Sequence, residues 1–313
     1  MTLFWNAVEQ RTRALWRILA CLLLTVVAVL AATSALGEMF GSTMAGIVGP
    51  LVGITAGVWL AGRLLDLRGL DEFGLSLDRN WWMDFTFGAV LGVALMAMIF
   101  GVEYGAGWIS ITDTNVTSDT EVSFAVALLI GLLGFISVGF YEELLFRGYL
   151  LRNIAEGLHF KANRPAVAII IAWVFTSAFF GVAHAGNPNA TLISSLNISL
   201  AGILLGIGYV CSGKLAIPIG LHITWNFAQG NLFGFPVSGT TGFSAQVFQI
   251  EQGGPDLWTG GAFGPEAGLI GLVAMGLGLF ATWAYLRMRY GRVRFDESLV
   301  HPPEVTTHSD AAP

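Results

Sequence analysis

The chain has 313 residues, 55% of them hydrophobic and only 12% charged, against about 25% charged in an ordinary soluble domain. A chain so poor in charge cannot cover itself with a water-facing surface, so lipid is the expected solvent; the mean hydropathy of +0.70 agrees. The net charge of −6 comes without a basic patch interleaved with aromatics, which excludes nucleic acid as a partner. Cys21 and Cys211 both sit in apolar runs and make neither a disulfide framework nor a zinc pattern.

A membrane helix needs about 20 predominantly apolar residues. Eight stretches qualify in chain order: Ile18–Leu36, Met44–Gly62, Phe85–Trp108, Phe124–Phe146, Val167–Ala185, Leu192–Val210, Leu215–Phe235 and Ala267–Leu286. The fold class expected is an all-α membrane protein of about eight transmembrane helices around an intramembrane cavity. A short segment, 1–17, precedes the first span. Spans one to three occupy 18–122, with 63–84 as an amphipathic surface segment whose Trp81 and Trp82 suit the headgroup level. Spans four to seven, 123–235, form a core. A loop and span eight fill 236–294, and the polar 295–313 is expected to be a disordered tail in which His301 and His308 are solvated. The basic start, first apolar run and Ala31-Ala32-Thr33-Ser34-Ala35 also outline a signal peptide, but the run is long for one, so a retained span is expected.

Every Lys and Arg can be assigned to a segment between spans. Arg11, Arg13 and Arg17 precede span one, and Arg63, Arg68 and Arg79 follow span two. Arg147, Arg152, Lys161 and Arg164 lie at or after the end of span four. Lys214 follows span six, and Arg287, Arg289, Arg292 and Arg294 follow span eight. These are all 15 basic residues, and all fall on one side. The other side holds Glu38, Asp113, Asp119, Glu121, Glu251, Asp256 and Glu266 without a cation. The positive-inside rule then places both termini in the cytoplasm, as in a multi-pass protein of a bacterial plasma membrane.

Ionisable residues inside spans are costly and mark function. Span four ends in Tyr141-Glu142-Glu143-Leu144-Leu145-Phe146-Arg147. Glu143 and Arg147 are four apart on one helix face, the better order for an ion pair. Glu142 is rotated by about 100° and should lack that partner, leaving a carboxylate free for acid–base work. His184 closes span five before Asn187-Pro188, and His222 and Asn226 share a face of span seven. Together these side chains could supply a base, a proton donor and an oxyanion-stabilising pair. Glu142, His184 and His222 could equally make a zinc set. The His-Glu-x-x-His spacing of soluble zinc proteases and the Gly-x-Ser-x-Gly elbow are both absent from the sequence.

Glu-Glu-x-x-x-Arg, then Phe-x-x-x-His, then His-x-x-x-Asn, in that order on separate helices, resembles the CPBP family. That family includes CAAX prenyl proteases of the Ras-converting type, bacteriocin-processing and self-immunity proteins, and proteins similar to lysostaphin resistance protein A. The resemblance covers the second half of span four through span seven, and Gly260-Gly261-Ala262-Phe263-Gly264-Pro265-Glu266 looks like a segment common in bacterial members. It implies an intramembrane endopeptidase in which Glu142 activates water together with His184. His222 and Asn226 would form the oxyanion hole, with Glu143 and Arg147 supporting. No cofactor is required on that mechanism, although zinc is possible. The implied partners are the bilayer and a peptide or protein substrate at the membrane, which need not be lipidated. Two other readings stand beside it: a non-catalytic regulator or bacteriocin-immunity protein on the same scaffold, and a proton-coupled transporter, which the lack of an internal repeat weakens.

Depth tests the arrangement. At 1.5 Å per residue, Glu142 lies about 15 Å from Arg152, and His222 and Asn226 about 12 and 18 Å from Lys214. His184 lies about 30 Å from Arg164. The expected remedy is a helix after span four that carries Arg152–Pro165 beyond the headgroups.

Overall fold

The structure is a computed structural model that describes residues 3–7, 9–118, 121–159 and 164–303. Lys161, Asp119 and His308, together with 304–313 of the expected tail, lie outside the described residues.

Two short strands, β1 (Trp5–Asn6) and β2 (Arg11–Thr12), pair antiparallel and lead into α1, Ala14–Ala61. A π-helical turn, Gly62–Asp66, prolongs α1 to 53 residues. Straight, that would span about 80 Å, more than twice the hydrocarbon thickness. It is not straight. At Gly41, φ is 83° and ψ 170°, a left-handed geometry open to glycine, and the two arms fold back on each other. Gly49, Gly53 and Gly57 on the second arm lie against Thr33, Val29 and Thr25 on the first, pairs that mirror one another about Gly41. Small residues at helical spacing let two backbones approach closely. The arms are the first two stretches read from the sequence.

The connector 67–78 corrects the expected amphipathic surface segment. Phe73 is fully buried and Leu75 nearly so, while Asp66 and Arg68 at its start are buried as well. The physical reason is that the charges find partners inside: Asp66 takes the Tyr149 hydroxyl at 2.7 Å and Arg68 reaches Glu156 at 2.6 Å. Trp81 is also buried, its indole N–H donating to Gly74 at 2.9 Å, and only Trp82 is exposed. Asp78 caps the next helix, α2 (Arg79–Gly105), by accepting from the Trp81 amide.

β3 (Ile109–Thr117) follows, then α3 (Phe124–Glu143), which runs through a π-helical segment, Leu144–Leu151, into α4 (Arg152–Leu158). Phe124–Leu158 is one 35-residue helix, about 50 Å long, so its far end projects beyond a bilayer core. It includes 152–158 of the extension expected after span four, and 160–163 lie outside the described residues. Next come α5 (Pro165–Ala183), α6 (Leu192–Ser212) and α7 (Ala216–Phe227), which ends in a third π-helical segment, Ala228–Leu232. β4 (Ala245–Gln252) pairs antiparallel with β3 in a sheet that the hydropathy pattern does not announce. The short α8 (Asp256–Thr259) and then α9 (Leu269–Tyr290) complete the bundle.

Helix α7 is the centre. Glycines of three neighbours admit it: Gly88 and Gly92 of α2, Gly139 of α3 and Gly208 of α6 each abut its backbone or side chains. Six helices among the described residues are long and apolar enough to cross a membrane. With α1 doubled into two arms and α7 short and buried, apolar helical segments occupy all eight expected positions.

At one end, four of the basic residues counted on one side converge on Glu156. Its Oε2 accepts from Arg11 and Arg17, and its Oε1 from Arg68 and Arg152. The same cluster corrects the expected disorder of the tail over 295–303. Arg152 donates to the Ser298 carbonyl and Arg68 to that of His301, and these anchors place Leu299 and Val300 in the core. The His301 ring meets that of His159 at 5.9 Å.

Candidate active site

The two glutamates that end α3 have separate surroundings, as their angular offset requires. The Glu143 side chain is fully buried, and its Oε1 accepts from Arg147 Nη1 and His222 Nδ1, both at 2.8 Å. Arg147 is held further by the Gly202 carbonyl at 3.2 Å, and its guanidinium lies 4.5 Å from the centre of the Phe180 ring. Glu142 instead enters a cavity of about 270 Å³ between α3, α5, α6 and α7. Its side chain keeps 18% exposure, and its Oε2 has no hydrogen-bond partner among the described residues. That oxygen lies 3.8 Å from His222 Nε2, too far for a direct hydrogen bond and the spacing at which a bridging water is to be considered.

His184 caps the C-terminus of α5 and turns its ring into the cavity. Its Nδ1 lies 2.8 Å from the Phe180 carbonyl. A carbonyl only accepts, so Nδ1 carries the hydrogen and Nε2 is left for the cavity. The Phe180 ring lies between the two histidines, 4.6 Å from His184 and 6.0 Å from His222. Asn226 lines the cavity one turn beyond His222, and its side chain forms no hydrogen bond among the described residues. The structure thus brings Glu142, His184, His222 and Asn226 to one space, with Glu143 and Arg147 behind it. Both α3 and α7, which carry the expected pairs Glu142/Glu143 and His222/Asn226, become π-helical just after them, at Leu144 and Ala228; such segments are frequent at functional sites.

The zinc set fits poorly. Among the described residues, no three His, Cys, Asp or Glu side chains converge as metal ligands. His222 Nδ1 lies 2.8 Å from Glu143 Oε1, which leaves Nε2 as the ring nitrogen on the side of Glu142.

Four residues at or behind the cavity wall were not singled out for the site by sequence: Glu266, Ser238, Gln229 and Asn187. Glu266 is 4% exposed and accepts from the Ser238 amide at 2.7 Å and the Ser238 hydroxyl at 3.2 Å. Burial pushes its carboxyl above the usual range, against the pull of those donors. Gln229 donates to the Pro236 carbonyl at 2.6 Å. Asn187 donates to the Ser238 carbonyl at 3.0 Å. A signal for one of them was present: His222, Asn226 and Gln229 form a polar stripe at i, i+4, i+7 on an apolar helix.

Residues 124–228 match the family model described as Type II CAAX prenyl endopeptidase Rce1-like. The match runs from the first residue of α3 to the first of the π-helical segment after α7 and so includes all six expected site residues. No curated protein and no solved structure matches the chain.

Proposed function

We propose that the chain, whose residues 124–228 match the family model described as Type II CAAX prenyl endopeptidase Rce1-like, is an intramembrane endopeptidase of that kind in which Glu142 activates water. The observation that carries this reading is the unpartnered Glu142 oxygen 3.8 Å from His222 Nε2, in a cavity that His184 and Asn226 also line.

A water between Glu142 and the substrate carbonyl gives its proton to Glu142, and the hydroxide adds to the carbonyl carbon. His184, whose Nε2 is free, holds that water from the α5 side. The negative charge that develops on the carbonyl oxygen is taken by the Asn226 amide and by His222 Nε2–H. Donors of this kind contribute about 10²–10³ each to rate. For His222 to donate there while Nδ1 donates to Glu143, the ring must be an imidazolium. Its charge and that of Arg147 then balance Glu142 and Glu143. When the tetrahedral intermediate collapses, the C–N bond breaks and the leaving amine takes the proton held by Glu142.

The cavity walls are mostly apolar, among them Phe135, Val138, Leu204, Trp225 and Met275. They suit a hydrophobic segment of a membrane-associated peptide or protein, with or without a lipid tail. The arginine cluster around Glu156 supports a cytoplasmic position for that end, with the β3–β4 sheet outside and both termini cytoplasmic, as in a bacterial plasma membrane. Comparison of membrane peptides from cells with the wild type and Glu142→Ala tests the proposal. Peptides that appear only with the wild type are expected. An unchanged peptide set, with Glu142→Ala fully functional in the cell, would favour a non-catalytic regulator or immunity protein.

A further inference from the structure

The cavity is not walled by helices alone. At the end nearest the β3–β4 sheet its wall is a tight turn, Val237–Thr240, closed by Val237 N–H to Thr240 O at 2.9 Å and Thr240 N–H to Val237 O at 2.8 Å. Both central residues have positive φ, 47° at Ser238 and 82° at Gly239, the pattern of a type I′ turn. Glycine takes up that geometry freely and serine does not, so Ser238 sits in a strained conformation, of the kind that persists only where its surroundings hold it. Those surroundings are specific. Ser238 has each of its polar groups engaged: amide and hydroxyl by the two oxygens of Glu266, carbonyl by Asn187. The next residue, Gly239, donates to the Phe263 carbonyl at 2.8 Å, and a side chain there would collide with the Pro188 carbonyl. Three loops therefore meet over the cavity, and a buried carboxylate joins two of them.

We propose that Glu266 is a positioning residue, the latch that holds the Val237–Thr240 turn across the sheet-side end of the cavity. It touches no reacting atom. It fixes the wall against which a substrate is held, and it closes that end to water while leaving entry to the other sides. The proposal concerns the shape of the cavity and holds whether or not the cavity hydrolyses peptides.

The test uses thiol reactivity, with one probe at the latch and one far from it. In a Cys211→Ser background, Val237→Cys places a thiol at a position that is 6% exposed, and the native Cys21, fully buried beside Thr25 in α1, reports on the rest of the fold. Maleimide modification of both thiols is followed by mass spectrometry in purified, detergent-solubilised protein. Glu266→Ala removes both acceptors at Ser238 and is expected to speed modification at Val237→Cys by at least about tenfold, since bonds to a charged acceptor are the stronger kind. Cys21 should not change. Glu266→Gln keeps one acceptor for the Ser238 amide, so an intermediate rate is expected; it also decides the matter if Glu266→Ala does not fold. Equal rates at Val237→Cys with and without Glu266 would overturn the proposal, as would a parallel rise at Cys21 in both variants.

Discussion

Two adjacent glutamates with different surroundings allow a sharp prediction from one atom change. Glu143→Gln removes the charge from a side chain that is fully buried and shared by Arg147 and His222. Removing one partner of a buried ion pair costs about 3–5 kcal/mol because it strands the other charge. Arg147 is itself 1% exposed but keeps the Gly202 carbonyl and the face of Phe180, so the lower end, about 3 kcal/mol, is expected. Glu142→Gln changes a side chain whose Oε2 has no partner to lose and which retains 18% exposure; its expected effect on stability is under about 1 kcal/mol. Activity should fall the other way. Loss of a general base removes about 10²–10⁴ in rate, and Glu142→Gln should lose at least that while remaining folded. Stability is read by reversible unfolding with SDS in mixed micelles, and activity by hydrolysis of a membrane peptide by the same preparations. A Glu142 variant less stable than the Glu143 variant, or a Glu143→Gln protein within about 1 kcal/mol of wild type, would refute the division of roles.

Three further outcomes are expected. Gly53→Ala drives a Cβ into the backbone of Val29 across the α1 hairpin, so it should cost about 1–3 kcal/mol, whereas Gly46→Ala meets open space and should be neutral or slightly stabilising by helix propensity; SDS unfolding compares them, and equal effects would contradict the close crossing. Glu156→Gln weakens the acceptor for four arginines and should release the segment around Leu299 and Val300, which limited proteolysis would detect as new cleavage within 295–303; an unchanged digest would count against the cluster as its anchor. Prolonged dialysis against a zinc chelator should leave peptide hydrolysis intact, because Glu142, His184 and His222 do not converge as ligands; stoichiometric zinc whose removal abolishes hydrolysis would reverse that view.

Much of the fold follows from one-dimensional patterns because membrane helices announce themselves by length and apolarity. The turn of α1 at Gly41 falls in the gap between two hydropathy maxima, and the glycine stripe 49, 53, 57 explains why its arms pack. The split between Glu142 and Glu143 was likewise legible from helix rotation alone. What escaped notice depends on loops. The β3–β4 sheet joins segments more than a hundred residues apart, and Phe73 enters the core from a stretch whose charges suggest a surface. Its arginine and aspartate are in fact neutralised by partners on α1 and α4, which no local pattern reveals. Leu299 and Val300 were hidden by the polar residues around them for the same reason.

The two clusters of buried charge differ in their balance. Around Glu156, four arginines (11, 17, 68 and 152) face four carboxylates, Glu9, Asp66, Glu72 and Glu156, through a connected set of ion pairs. That cluster is balanced, and its work is to tie the N-terminal strands, α1, α4 and the 297–303 segment together. Beside the cavity Arg147 stands with Glu142 and Glu143, and balance within that group is reached only through a histidine whose charge depends on its proton, while Glu266, also in the lining, is held by Ser238. Glu103 on α2 also lacks partners for both oxygens among the described residues, but it lies outside the cavity lining and so cannot share a substrate with the histidines. An unbalanced carboxylate is costly in an apolar bundle, and Glu142 could be relieved at no loss of packing by any neutral residue of its size. Its place beside two histidines and an unpaired amide supports the proton-transfer role proposed for it, whereas a bracing role would have given Glu142 a cation as it gave one to Glu143.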